Sequence, residues 1–177
     1  MTTPAAIREL VASGPSEEHA SELQLYGQFV GDWEFDVTDH APNGDTARAR
    51  GEWHFGWVLD GRAIEDVWMV PTRAEQRGLG AGPRRLGITI RVFELATASW
   101  RVTWHGALGG PAFSMVGRKE GKEIVQEGRD PEGLVSRWIF SEISSNAFRW
   151  RALASPDDGK TWRLEQEMSA RRVRKEA

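Results

Sequence analysis

The stretch Gly31-Asp32-Trp33-Glu34-Phe35-Asp36-Val37 decides the fold. Trp33, Phe35 and Val37 alternate with Asp32, Glu34 and Asp36, the period of a strand with one buried face and one wet face. Working outward, the same period recurs almost to the C-terminus. Trp53, Phe55 and Trp57 alternate with Glu52, His54 and Gly56, and Ile64, Asp66, Trp68 and Val70 share one face of the next segment. Ile88, Ile90 and Val92 follow, then Trp100, Val102 and Trp104, then Trp138 and Phe140, and Phe148 and Trp150. The last set is Trp162, Leu164, Gln166 and Met168. All nine tryptophans fit the apolar face of such a segment.

Turn chemistry separates the segments. Asn43-Gly44 and Asp60-Gly61 are tight hairpin signals, because glycine accepts positive φ and Asn or Asp tolerates it. Glu120-Gly121-Lys122, Asp130-Pro131-Glu132-Gly133 and Ser144-Ser145-Asn146 mark three more. The pattern predicts an all-β domain of about ten antiparallel strands over residues 31–172, an up-and-down meander whose closure into a barrel removes exposed edges. No repeat of fixed period points to a propeller. Before Gly31 the reading is helical: residues 1–29 form an N-terminal segment in which Ser16 caps a helix ahead of Glu17 and Glu18. Leu23, Tyr26 and Phe29 then recur at helical spacing, as expected of a helix packed across one barrel end. One connection departs from the short hairpins. Pro71–Arg85 (PTRAEQRGLGAGPRR) is rich in Gly, Pro and Arg and lacks periodicity, which predicts either a lid or a disordered loop.

Composition sets outer bounds. The 177 residues suit a single domain, and 40% hydrophobic with 28% charged residues is ordinary for a globular chain. A net charge of −3 creates no field that recruits nucleic acid or an anionic membrane. The absence of cysteine excludes disulfides, thiolate metal sites and a cysteine nucleophile. The start MTTPAAIRELVASG lacks the pattern of a signal peptide, and no stretch is apolar enough to span a bilayer, so a cytoplasmic protein is expected. A homodimer is compatible with the sequence, which leaves the oligomeric state open.

Gly31-Asp32-Trp33, after a helix and at the head of the first strand, resembles the Gly-x-Trp signature of the calycin superfamily, the lipocalins and fatty-acid-binding proteins. With about ten strands expected, the chain looks more like the fatty-acid-binding or bacterial lipocalin-like branches than the secreted lipocalins. The resemblance implies that Trp33 plugs one barrel end and that a basic residue near the C-terminus, Arg171 or Arg172, stacks on it. The Arg-x-Tyr pair with which many fatty-acid-binding proteins hold a carboxylate is missing, since Tyr26 is the single tyrosine. Ser155-Pro156-Asp157-Asp158-Gly159-Lys160-Thr161-Trp162 is similar to an Asp-box, a hairpin turn in which Asp157 accepts backbone N–H bonds, Gly159 takes positive φ and Trp162 packs behind. A single copy marks a hairpin, not a glycosidase.

Chemistry-bearing motifs are few. His19, His40, His54 and His105 show no metal-ligand spacing, and His54 and His105 lie opposite the tryptophan faces, so neither metal nor haem is expected. G-x-S-x-G, P-loop and H-E-x-x-H motifs are absent. The tail Arg171-Arg172-Val173-Arg174-Lys175 reads as a solvated end. Polar residues that interrupt apolar faces are the functional candidates: Asp66 between Ile64 and Trp68, and Gln166 between Leu164 and Met168. Each either makes an internal hydrogen bond or orients a ligand. The expected function is binding of a small, largely apolar, aromatic molecule inside the barrel without a cofactor. Trp53, Trp57, Trp68, Trp104, Trp138 and Trp150 would be its walls, and Asp66 and Gln166 its orienting groups. The alternatives are a lipocalin-like isomerase, cyclase or hydrolase using Asp66 as general acid or base, and a solid barrel serving as a scaffold for a partner.

Overall fold

Ten strands, each antiparallel to its neighbours, close into a barrel in the computed structural model, which describes residues 2–80 and 82–174. In chain order they are β1 (Gly31–His40), β2 (Thr46–Val58), β3 (Ala63–Val70), β4 (Arg85–Glu94) and β5 (Ser99–Gly106), then β6 (Ala112–Glu120), β7 (Glu123–Arg129), β8 (Val135–Ser141), β9 (Ala147–Ser155) and β10 (Arg163–Arg172). Every strand pairs with its sequence neighbours, and β1 pairs with β10 to close the ring. The five predicted turns join β1 to β2, β2 to β3, β6 to β7, β7 to β8 and β8 to β9.

The N-terminal segment is two short helices and not one. α1 (Ala5–Leu10) stops before Val11, which forms a bridge with Val58. α2 (Ala20–Gly27) is entered from His19, a non-glycine residue at φ 60°, so His19 and not Ser16 sits at the cap. The Ser16 amide instead donates to the Gly61 carbonyl. Leu23, Tyr26 and Phe29 carry the buried face across one end of the barrel, as their spacing predicts. Among the described residues no helix is long and apolar enough to cross a membrane.

Trp33 is fully buried at the plugged end, and its indole N–H donates to the Phe29 carbonyl at 2.7 Å. Of the two candidate partners, Arg172 is the one that stacks on it, 4.2 Å from the ring centroid and directly opposite across the β1–β10 seam. Its guanidinium also donates to the carbonyls of Val30, Gln28 and Ser145, each at 2.7 Å. Arg171 faces outward, 3.8 Å from Asp36. The basic tail is therefore partly structural, while Lys175 lies outside the described residues.

Three expectations from alternation change. In β4 the buried positions are Gly87, Thr89 and Arg91, so Ile88, Ile90 and Val92 occupy the outer face, half-buried. A bulge between Leu164 and Gln166 in β10 turns Gln166 to the interior but leaves Leu164 opposite Leu153, outside. Trp162 precedes β10 and lies on the outer surface beneath Arg137, 4.2 Å from the ring centroid, so eight tryptophans and not nine face inward. The described residues of the Pro71–Arg85 connection, 71–80 and 82–85, are not without regular structure. They include α3 (Arg73–Leu79), held by a capping box in which Thr72 and Glu75 exchange hydrogen bonds. The helix rests on the outside of β2 and β3, where the Arg73 amide donates to Glu52 and the Gln76 amide lies against the Met69 sulfur.

The Asp-box hairpin is formed as its sequence predicts. Asp157 accepts from the Thr161 amide at 2.8 Å, from the Thr161 hydroxyl at 2.7 Å and from the Ser155 hydroxyl at 2.8 Å. These bonds, the Thr161 amide foremost, hold the Asp157 carboxyl down at about 2.

Two measurements test this frame. Arg172→Ala removes the stacking and the carbonyl bonds together and should cost about 2 kcal/mol in denaturant unfolding, with Arg172→Lys recovering only part of it. Asp157 stabilises the fold fully above the ordinary carboxyl value of 3.8 and loses that contribution as pH falls to about 2. The melting temperatures of wild type and Asp157→Ala should therefore differ at neutral pH and converge near the lower value.

Candidate functional site: a cavity at the open end of the barrel

The interior is layered along its axis. At the end closed by α2, rings fill the space: Phe29 packs against Phe140 and Phe148 at 4.9 and 5.0 Å between centroids, and Tyr26 against Trp100 at 4.8 Å. Trp57 belongs to this layer, its ring against Gly27 of α2.

Above it lies a polar layer. Asp66 and Arg91 form an ion pair with neither side chain exposed. The Arg91 guanidinium lies 5.1 Å from the Tyr26 ring centroid, 5.6 Å from that of Phe55 and 5.9 Å from that of Phe140. The Tyr26 hydroxyl accepts from the Gln126 amide at 2.9 Å, and burial raises its pKa to about 12, so it stays neutral. Gly117 makes the room, since any Cβ there would meet the Tyr26 oxygen.

Beyond this layer the barrel opens into a cavity of about 430 Å³, within the range of small-molecule sites. Trp53, Trp68, Trp104, Trp138, Trp150 and Gln166 line it. The rings meet edge to face: Trp68 with Trp104 at 6.2 Å, Trp104 with Trp138 at 6.0 Å, and Trp138 with Trp150 at 5.3 Å. Trp104 fits because it lies over Gly87, where a side chain would collide with the ring. Gln166 donates to Asp39 at 2.6 Å, Asp39 accepts from Arg85 at 2.9 Å, and Arg85 sits 5.3 Å from the Trp68 ring centroid, which fixes one side of the rim.

Two residues named from the sequence stand apart from the cavity. Trp57 is four residues further along β2, under α2. Asp66 is enclosed in the polar layer with Arg91 as its partner. Sequence reasoning missed Thr89, which lines the cavity, as well as Arg91 and Gln126 beneath it. The signal available was Arg91 in the middle of an apolar strand, one residue from either of two β-branched neighbours. His54 faces outward, bonded to Asp32 at 2.8 Å and Glu52 at 3.2 Å. Among the described residues no three His, Asp or Glu side chains converge to hold a metal.

A closed ten-stranded barrel, a helix across one end, and an arginine stacked on the tryptophan of Gly31-Asp32-Trp33 define a calycin-like fold. Two solved structures share it. The crystal structure of Rv2717c from M. tuberculosis aligns with TM-score 0.61 at 12% identity over 86% of this chain and 98% of that one. The S-type phycobiliprotein lyase CPES from Guillardia theta aligns with TM-score 0.58 at 10% identity over 92% of this chain and all of that one. No protein-family model matches the chain, and no curated protein matches its sequence.

The ion pair makes a sharp test. Asp66→Asn strands a buried guanidinium and should cost about 3–5 kcal/mol, while Asp66→Leu combined with Arg91→Met should recover most of it. Ligand affinity at the cavity should be nearly unchanged in either variant that remains folded, as measured by paired melting and titration.

Proposed function

We propose that the barrel binds one small, largely apolar, aromatic molecule in the cavity at its open end. The observation that carries this reading is the position of the tryptophans. Five indoles line a cavity of about 430 Å³ where packing could have filled it, with Gln166 at its side and charged groups at the rim. Aromatic walls favour flat apolar ligands through edge and face contacts, and a few polar groups orient them.

An enzyme using Asp66 as general acid or base finds less support. Its carboxylate is enclosed beside Arg91 and does not border the cavity, so substrate atoms would have to enter the closed polar layer to reach it. One similar barrel is named a lyase, which is compatible with binding or catalysis on this fold.

The test is titration of intrinsic tryptophan fluorescence with the neutral dye N-phenyl-1-naphthylamine. Saturable, one-to-one quenching is expected. Ala152→Trp, which places an indole in the cavity from β9, should weaken that binding at least about tenfold, the loss of roughly one buried ring contact. Trp57→Phe, at the other end, should leave it unchanged. Non-saturable quenching, or equal affinity in all three proteins, would favour the solid scaffold.

A further inference from the structure

The cavity wall is aromatic, and three of its residues carry a buried polar atom that can donate and has no partner. The indole N–H groups of Trp53 and Trp150 and the hydroxyl of Thr89 are buried without a hydrogen-bond partner. Their residues are 3%, 4% and 1% exposed, and all three are among those that line the cavity. An indole nitrogen can only donate, and a hydroxyl can do so as well. The neighbouring Trp68 N–H is already directed at the Met168 sulfur, 3.4 Å away. Acidic groups lining the cavity, Asp130, Glu132 and Glu165, sit at the ends of β7 and β10, on the rim.

We infer that the ligand is a planar aromatic molecule carrying a neutral hydrogen-bond acceptor, a carbonyl oxygen, on the end that enters first. This rests on the binding reading above and adds the chemistry of the buried end. A buried donor is costly to leave unpaired, so an entering acceptor gains on both sides of the bond. A carboxylate fits less well. It would give up its hydration at a deep wall of neutral donors, since Arg84 is exposed at the mouth, Arg85 is engaged by Asp39, and Arg91, engaged by Asp66, does not border the cavity. The rim carries both signs, Arg84 and Arg85 beside Asp130, Glu132 and Glu165, and these rim charges do not reach the deep end.

Three tricyclic probes of nearly one shape separate the possibilities: fluorene with no polar group, 9-fluorenone with a carbonyl, and carbazole with an N–H. Dissociation constants for each are measured by calorimetry on wild type, Thr89→Val, Trp53→Phe and Trp150→Phe, with melting temperatures to verify folding. Thr89→Val is nearly isosteric and keeps the test alive if a tryptophan variant fails to fold. The expected result is that Thr89→Val and at least one of the two tryptophan variants weaken 9-fluorenone about fivefold, the scale of one hydrogen bond, and leave fluorene within about twofold. The carbonyl stretch of bound 9-fluorenone should lie at lower wavenumber in wild type than in Thr89→Val. If the substitutions affect fluorene and 9-fluorenone alike, or affect neither, the acceptor inference falls and the binding cavity stands. If carbazole is the probe that loses affinity, the deep wall accepts and does not donate, which also overturns it. If none of the three binds wild type, the cavity reading fails and takes this inference with it.

Discussion

Trp33 and Arg172 face each other across the seam where the first and last strands meet, and the placement of every other layer depends on that contact. A closed barrel has no edge to signal where the chain should stop, so its register must be fixed at the seam. The indole hydrogen bond to the Phe29 carbonyl ties the seam to the residue just after α2. Three arginine bonds to backbone carbonyls then tie the last strand to the same segment and to the β8–β9 turn. Strand ends that are otherwise free to slide are held at one height. α2 is pinned over that end, so the remaining open end is the one bounded by the β3–β4, β5–β6 and β7–β8 connections.

The polar layer then divides the interior. A buried ion pair is seldom a net source of stability, because both charges lose their hydration, and among the described residues four buried polar atoms of this layer, on Asp66, Arg91 and Gln126, have no partner. The layer does fix position. Asp66 on β3 and Arg91 on β4 are joined across adjacent strands, and the guanidinium is held among three aromatic faces. This makes the layer a rigid floor on which the cavity rests.

Alternation in the sequence distinguished inside from outside in most strands because solvent contact is a local property of each residue. It misled where the interior itself is polar. β4 carries Thr89 and Arg91 inward, so its isoleucines read as core although they lie outside. In β10 a bulge shifts the phase between Leu164 and Gln166, and nothing in the residue types announces it. α3 was legible in principle, since Thr72-Arg73-Ala74-Glu75 is a capping box, but the surrounding Gly, Pro and Arg obscured it. Height along the barrel axis was not legible at all. Trp53 and Trp57 are alike in type and face, yet one lines the cavity and the other seals the far end. That distinction depends on how strands are staggered against each other, which no single strand encodes.

Height also explains why a chain so rich in tryptophan leaves a cavity instead of a solid core. At the plugged end large rings oppose large rings, Phe29 against Phe140 and Phe148. Toward the open end inward positions are small, Ser136 on β8 and Ala152 on β9. Indoles set opposite small residues cannot meet across the lumen, so they line its perimeter and leave the axis free. The cavity thus follows from the distribution of side-chain volume along the strands. Enlarging one of those small residues, and not removing a tryptophan, is the change that would turn the barrel into a solid core.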